Sequence, residues 1–197
     1  MCGESGLITG FKRLCPNHQE KYWGKFMRKK IIIVRGNSGS GKSTVAKELQ
    51  TILGRGTMLI SQDVVRRDML HIQDRPNNIA IDLMQNLVAF AYEHCEIAIL
   101  EGILYYELYS KLFTTVKELY ADNIHAYYFD LPFEETLKRH ALKPNADNFG
   151  EERMRQWWRE KDYLLNISEK LLGVEMSKED IVDLIYNDVL SIRKEKL

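Results

Sequence analysis

The sequence predicts an α/β fold, a parallel sheet of about five strands flanked by helices, and three observations carry that expectation. Short β-branched or apolar runs alternate with amphipathic stretches from Met27 onward, the pattern of repeated strand and helix units. A glycine-rich segment, Gly36-Asn-Ser-Gly-Ser-Gly-Lys-Ser-Thr44, stands between the first such run and the first such stretch. At 197 residues, 45% of them hydrophobic, the chain can bury one substantial core and is too short for two ordinary domains.

The elements follow in order. Met27-Arg-Lys-Lys-Ile-Ile-Ile-Val34 predicts a first strand at Lys30–Arg35, and Lys42–Leu53 a first helix. Thr57–Ser61 reads as the second strand, then Val64–His71 and Asn78–Glu93 as helices. Ile97–Leu100 and Ile124–Phe129 read as strands separated by a helix at Tyr106–Ala121, and Phe133–Ala141 as the next helix. Leu142–Gly150 has no regular pattern and holds Pro144 and Gly150, which makes it a candidate mobile lid. A helix is expected at Glu151–Leu165, a weakly signalled fifth strand within Ile167–Leu172, and a last helix at Lys178–Lys194. Ser177 followed three residues later by Asp180 resembles a capping box and marks the start of that last helix.

Residues 1–26 fit neither helical nor strand spacing and lack the apolar centre of a signal peptide, so they read as an extension ahead of a domain at 27–197. Lys plus Arg and Asp plus Glu are both 28, which leaves no global positive field to attract long nucleic acid. No apolar run approaches the roughly 20 residues of a membrane-spanning helix. Three cysteines, Cys2, Cys15 and Cys95, form no disulfide framework and read as reduced thiols of a cytoplasmic protein. Cys15, His18 and Cys2 fall short of a zinc set, and His71, His94, His125 and His140 show no ligand spacing.

The glycine-rich segment satisfies G-x-x-x-x-G-K-[S/T] in the strand-to-helix setting that this motif requires. Glycines let the loop curl so that backbone N–H groups point inward at phosphate oxygens, and the following helix N-terminus adds partial positive charge. The expected nucleotide-binding set is Gly36, Asn37, Ser38, Gly39, Ser40, Gly41, Lys42, Ser43 and Thr44, with ATP and magnesium as cofactors. Lys42 is expected on the β and γ phosphates and Ser43 on the metal. The chain carries no Asn-Lys-x-Asp guanine reader and no Asp-x-x-Gly switch, and its third strand runs into Leu100-Glu101-Gly102 instead of an Asp-Glu pair. Those features argue against a switch GTPase or a motor ATPase and for a kinase.

Asp63 and Arg66 follow the second strand, whose end faces the same crevice as the phosphate loop in a parallel sheet. A carboxylate there can accept the proton of an attacking hydroxyl, and Arg66 can hold acceptor phosphate or developing charge. Asp63 also suits the N-cap of the helix beginning at Val64. Glu101 at the third strand's end can bind magnesium through water or orient the acceptor, and the alternative is a carboxylate satisfying loop N–H groups. Tyr105 and Tyr106 come directly after and are placed to contact acceptor. Arg139 precedes the candidate lid and is a candidate for neutralising transition-state charge there. Arg153, Arg155 and Arg159 lie beyond the lid, the last two on one face of the expected helix. Trp157 and Trp158 cannot point the same way from a helix, so one is expected in the core and the other beside the acceptor.

The GNSGSGKST loop, the Asp63-x-x-Arg66 spacing and Phe129-Asp-Leu-Pro-Phe-Glu-Glu-Thr-Leu-Lys-Arg139 together resemble the polynucleotide 5'-hydroxyl kinase branch of P-loop kinases and the related zeta-toxin-like and small-molecule kinases, uridine-kinase-like enzymes among them. The resemblance spans nearly all of residues 29–165 and implies the three-layer P-loop NTPase sandwich. It also implies a general-base role for Asp63 and an acceptor-phosphate role for Arg66, and it favours the position of Arg139 for the lid arginine. The Leu100-Glu101-Gly102 ending is closer to the zeta-toxin and small-molecule kinases. The expected reaction is γ-phosphoryl transfer from ATP to a hydroxyl of a small acceptor, such as a nucleoside like uridine, another metabolite or an antibiotic. The alternatives are a sugar nucleotide acceptor with an antitoxin partner, a nucleic-acid 5' end, or a nucleotide-dependent interaction module.

Overall fold

The structure is a computed structural model and describes residues 29–142 and 150–191. The expected extension at 1–26, most of the expected lid at 142–150, and the end of the expected last helix lie outside the described residues.

The elements are β1 (Lys30–Gly36), α1 (Lys42–Leu53), β2 (Thr57–Ser61), a π-helix (Val64–Met69), α2 (Ile79–His94), β3 (Ile97–Gly102), α3 (Tyr106–Tyr120), β4 (Ile124–Phe129), α4 (Phe133–Ala141), α5 (Glu151–Gln156), β5 (Glu169–Leu172) and α6 (Lys178–Ser191). The five strands form one parallel sheet in the order β2-β3-β1-β4-β5. Every strand therefore ends at the same edge, and the register aligns Ser61, Glu101, Val34 and Tyr127 across it.

β1 is buried on both faces, as expected for a central parallel strand whose β-branched residues face helices on either side. Ile31 and Ile33 pack with Ala98, Leu100 and residues of α2 and α3, including Met84, Val88, Leu112 and Val116. Ile32 and Val34 pack with Ile99, Tyr127 and Phe129 against Val45, Ala46 and Leu49 of α1 and Ile181, Ile185 and Val189 of α6. The last helix starts where its capping box predicts: the Asp180 N–H donates to Ser177 Oγ at 3.1 Å and the Ser177 N–H donates to Asp180 Oδ2 at 3.1 Å. Among the described residues no helix is long and apolar enough to cross a membrane.

Four local expectations are corrected. The strand expected at Ile97–Leu100 continues through Glu101 and Gly102, so Glu101 belongs to the sheet. The segment after β2 is a π-helix, with the Leu70 N–H on the Val65 carbonyl at 3.1 Å. Asp63 already has helical φ and ψ and makes no side-chain cap bond, so it is not the N-cap of that helix. The helix expected at Glu151–Leu165 ends at Gln156, and Arg155 and Arg159 do not share a helical face. Long-range bonds outweigh the local helical pattern there: the Asn37 side chain holds the backbone of Arg159, and Asp162 is drawn to Arg35.

Arg35 is the main feature unread in the sequence. Its side chain is fully buried at the end of β1, where the guanidinium meets Asp162 at 2.8 Å and Glu169 at 3.0 Å. It also donates to the Leu104 carbonyl at 2.8 Å and lies 5.2 Å from the Phe113 ring centre. One buried cation thus ties together the loop after β3, the segment before β5, and β5 itself. β5 was weakly signalled because one of its inward side chains is a buried glutamate.

Candidate active site

The phosphate loop leaves β1 at Gly36 and enters α1 at Lys42. Gly39 has φ +83°, and a Cβ there would stand 2.5 Å from the Thr136 carbonyl oxygen of α4. The backbone of the loop is therefore pressed against the helix that carries Arg139. Gly39→Ala should combine left-handed strain with that clash and lower affinity for a non-hydrolysable ATP analogue by about 10-fold or more, measured calorimetrically.

Lys42 is buried and lies across the loop, with Nζ donating to the Asn37 carbonyl at 2.7 Å and Ser40 Oγ at 3.3 Å. At the first turn of α1, Ser43 Oγ donates to Glu101 Oε2 at 3.0 Å, and Ser61 Oγ donates to the other Glu101 oxygen. Sheet register makes this chain of contacts, because Ser61 and Glu101 are paired neighbours and Glu101 faces the loop across β1. Among the described residues no group of three or more His, Cys, Asp or Glu could hold a metal alone. A hydroxyl beside one buried carboxylate instead suits magnesium, which keeps waters and takes phosphate oxygens as its remaining ligands.

On the β2 side, Asp63 lies two residues beyond the Ser61 row and its carboxylate is 58% exposed. It accepts from Arg66 at 2.9 Å and pairs with Arg67 at 3.2 Å. Beside it the buried Gln62 accepts the Ile103 N–H at 2.8 Å and donates to Tyr109 Oη at 2.7 Å, while Tyr109 donates to Asp74 at 2.8 Å. Gly102 is needed because a Cβ there would meet Gln62 Oε1 at 2.5 Å. This network fixes the turn that presents Tyr105, whose hydroxyl donates to the Trp157 carbonyl. Burial pushes that hydroxyl's pKa up to about 12. Arg159 and Arg66 oppose the shift, and Asp74 and Asp162 add to it.

On the other side of the loop, Arg139 donates to Glu135 at 2.7 Å and to the Ser40 carbonyl at 3.1 Å. A cavity of about 360 Å³ opens there, lined in part by Gly39, Ser40, Arg139, Leu142, Met176 and Lys178. Arg155 is a surface residue of α5, paired with Glu151 at 2.8 Å and lying 4.3 Å from the Phe133 ring centre. Neither Trp157 nor Trp158 is fully buried, and Trp158 packs edge-on against Phe133 at 5.1 Å.

A family model described as an AAA domain matches residues 31–105, the stretch holding the phosphate loop, Asp63 and Glu101. Comparison with curated proteins finds no match. Among solved structures, the Mycobacterium tuberculosis APS kinase, in complex with AMPPNP and APS, is 20% identical with a TM-score of 0.58, over 83% of this chain and 98% of that one. A shikimate kinase from Acinetobacter baumannii, in complex with shikimate, is 17% identical with a TM-score of 0.54, over 87% of this chain and 97% of that one. A gluconokinase from Sinorhizobium meliloti is 12% identical with a TM-score of 0.57, over 85% of this chain and 95% of that one. The chain has the α/β fold of P-loop NTPases, the fold it shares with these kinases.

Within this P-loop NTPase fold, the sequence-predicted residues divide between two groups. Lys42, Ser43 and Glu101 are drawn together with the loop, and Arg139 touches the same loop from α4. Asp63, Arg66 and Tyr105 lie on the β2 and β3 side, with Asp63 and Arg66 in contact. Three contributors were not read in the sequence: Gln62, Arg35, and the side chain of Asn37, which binds protein backbone 122 residues away. A charged residue directly after the apolar run Ile31–Val34, still within β1, was the available signal for Arg35.

Proposed function

We propose that this P-loop NTPase fold carries an ATP-dependent phosphotransferase that moves the γ-phosphoryl group to a hydroxyl of a small-molecule acceptor. The observation that carries the reading is the contact of Ser43 with the buried Glu101 at 3.0 Å beside Lys42, at the sheet edge where the carboxylate of Asp63 faces solvent. That arrangement supports a metal-and-phosphate side and a proton-accepting side at one edge.

In this scheme Lys42 turns from the Asn37 carbonyl to the β and γ phosphates, and the nucleotide base enters the cavity bounded by Arg139 and Met176. Ser43, and Glu101 through water, would hold magnesium, which neutralises charge on the phosphate oxygens when bound. Asp63 accepts the acceptor's hydroxyl proton as its oxygen bonds to the γ phosphorus, and the bond from that phosphorus to the bridging oxygen breaks to release ADP. Arg66 orients the acceptor, and Arg139 faces the phosphates from α4. The equal numbers of basic and acidic residues favour a small acceptor over long nucleic acid. The small ligands in the APS kinase and shikimate kinase complexes support the same choice. A nucleoside, sugar, hydroxy acid or antibiotic fits this scheme.

Labelled γ-phosphate transfer from ATP and magnesium, screened over uridine and other nucleosides, sugars, hydroxy acids, antibiotics and oligonucleotide 5' ends, tests it. Transfer to a small molecule is expected, with Lys42→Ala slower by about 100-fold or more. Ordinary turnover by Lys42→Ala would overturn the loop assignment, and labelling confined to oligonucleotide ends would overturn the acceptor class.

A further inference from the structure

We propose that Arg159 binds an anionic group of the acceptor, a carboxylate or a phosphate, and that Asn37 of the phosphate loop is the residue that positions it. The inference rests on the kinase reading above and names the acceptor's chemistry.

Asn37 is buried, and both ends of its amide are committed to one residue. Its Nδ2 donates to the Arg159 carbonyl at 2.7 Å, and its Oδ1 accepts the Arg159 N–H at 3.0 Å. The side chain therefore does not turn toward phosphate. It clamps a distant segment to the loop, and that clamp accompanies the early end of α5. Only an amide offers a donor and an acceptor in this parallel arrangement at this reach.

The clamp leaves the Arg159 guanidinium exposed, 5.3 Å from the Tyr105 ring centre, with Nη1 donating to the Trp158 carbonyl at 3.0 Å. Among the described residues no carboxylate pairs with it, whereas the neighbouring Arg66 has Asp63. Tyr105 is itself fixed through the Trp157 carbonyl, so ring and guanidinium form one stacked platform. Arg66, whose charge also reaches the Tyr105 hydroxyl, has a buried Nε with no partner. A buried N–H left without an acceptor is costly, so Asp63 does not satisfy Arg66 in full. The two guanidinium groups, with unused donors and with Asp63 beside Arg66, match an acceptor that presents its hydroxyl to the base and its anion to the arginines.

The test uses the full chain saturated with AMPPNP and magnesium, so that the phosphate loop is filled, and titrates inorganic phosphate and, separately, acetate by calorimetry. The wild-type complex should take up one of these anions at roughly millimolar concentration. Arg159→Ala should weaken that binding about 10-fold while changing AMPPNP affinity less than about 3-fold. Asn37→Ala should weaken it similarly, Asn37→Ser serving if the alanine variant does not fold. The Asn37→Ala/Arg159→Ala double variant should be no weaker than Arg159→Ala alone, because Asn37 acts through Arg159. Tighter phosphate binding points to a phosphorylated acceptor, and tighter acetate binding to a hydroxy acid. Equal anion affinity in wild type and Arg159→Ala, no uptake of either anion, or additive losses in the double variant would overturn the proposal. Anion binding through Arg159 without phosphoryl transfer to any acceptor would instead retain this site and sink the kinase reading.

Discussion

Asp63→Asn should leave folding and ATP-analogue affinity close to wild type while slowing phosphoryl transfer by about 100-fold to 10,000-fold, the range for loss of a general base. The structure sharpens this expectation. Asp63 makes no cap bond, its backbone is already helical, and its carboxylate is more than half exposed, so the substitution removes little structure. Asparagine keeps the carbonyl oxygen that Arg66 donates to at 2.9 Å, and loses only charge and proton-accepting power. Thermal melting and AMPPNP titration establish that the variant is folded and loaded, and steady-state kinetics with the acceptor found by the screen then read the chemical step. Near-normal turnover would remove Asp63 from the proton path and move the search to Glu101, which stands in the same row of the sheet as Ser61.

Arg35→Ala should cause the largest loss of stability. Arg35 is the shared partner of Asp162 and Glu169, and the Glu169 side chain is only 3% exposed, so removing the cation strands a buried negative charge. Such changes cost roughly 3–5 kcal/mol, which for a chain of this size is a fall in Tm of about 6–20 °C. The effect should depend on pH. Burial pushes the pKa values of Glu169 and Asp162 up, and Arg35 opposes that shift. Without Arg35 both rise further above their unfolded values, so the folded variant holds more protons than the unfolded chain. Stability then falls as pH rises through the folded pKa values and recovers on acidification toward the unfolded carboxylate range near about 4. Melting of both proteins across that range checks the sign. A deficit that stays constant with pH would show that the loss comes from packing around Phe113 and Tyr128 rather than from the uncompensated carboxylates.

The sequence by itself determined the elements whose signals are local. The glycine spacing from Gly36 to Gly41, the β-branched run before it and the helix after it lie in one continuous stretch, so the phosphate loop was legible residue by residue. The same holds for α6, whose start depends on Ser177 and Asp180 three positions apart. Lys42, Ser43, Asp63, Arg66, Glu101 and Arg139 could be named as site candidates because each sits next to a strand end or helix end. Only the tertiary structure decided how they meet. The 3.0 Å contact of Ser43 with Glu101 comes from β3 pairing beside β1 and running on through Gly102, which no apolar run announced. α5 stops at Gln156 although the pattern beyond it permits helix, because Asn37 and Arg35 bind residues more than 120 positions away. Helical and strand periods record which face of a segment is buried, but they carry nothing about which polar partner closes on it from elsewhere in the chain. That choice is made by strand order and register, and here it placed Arg159 over Tyr105.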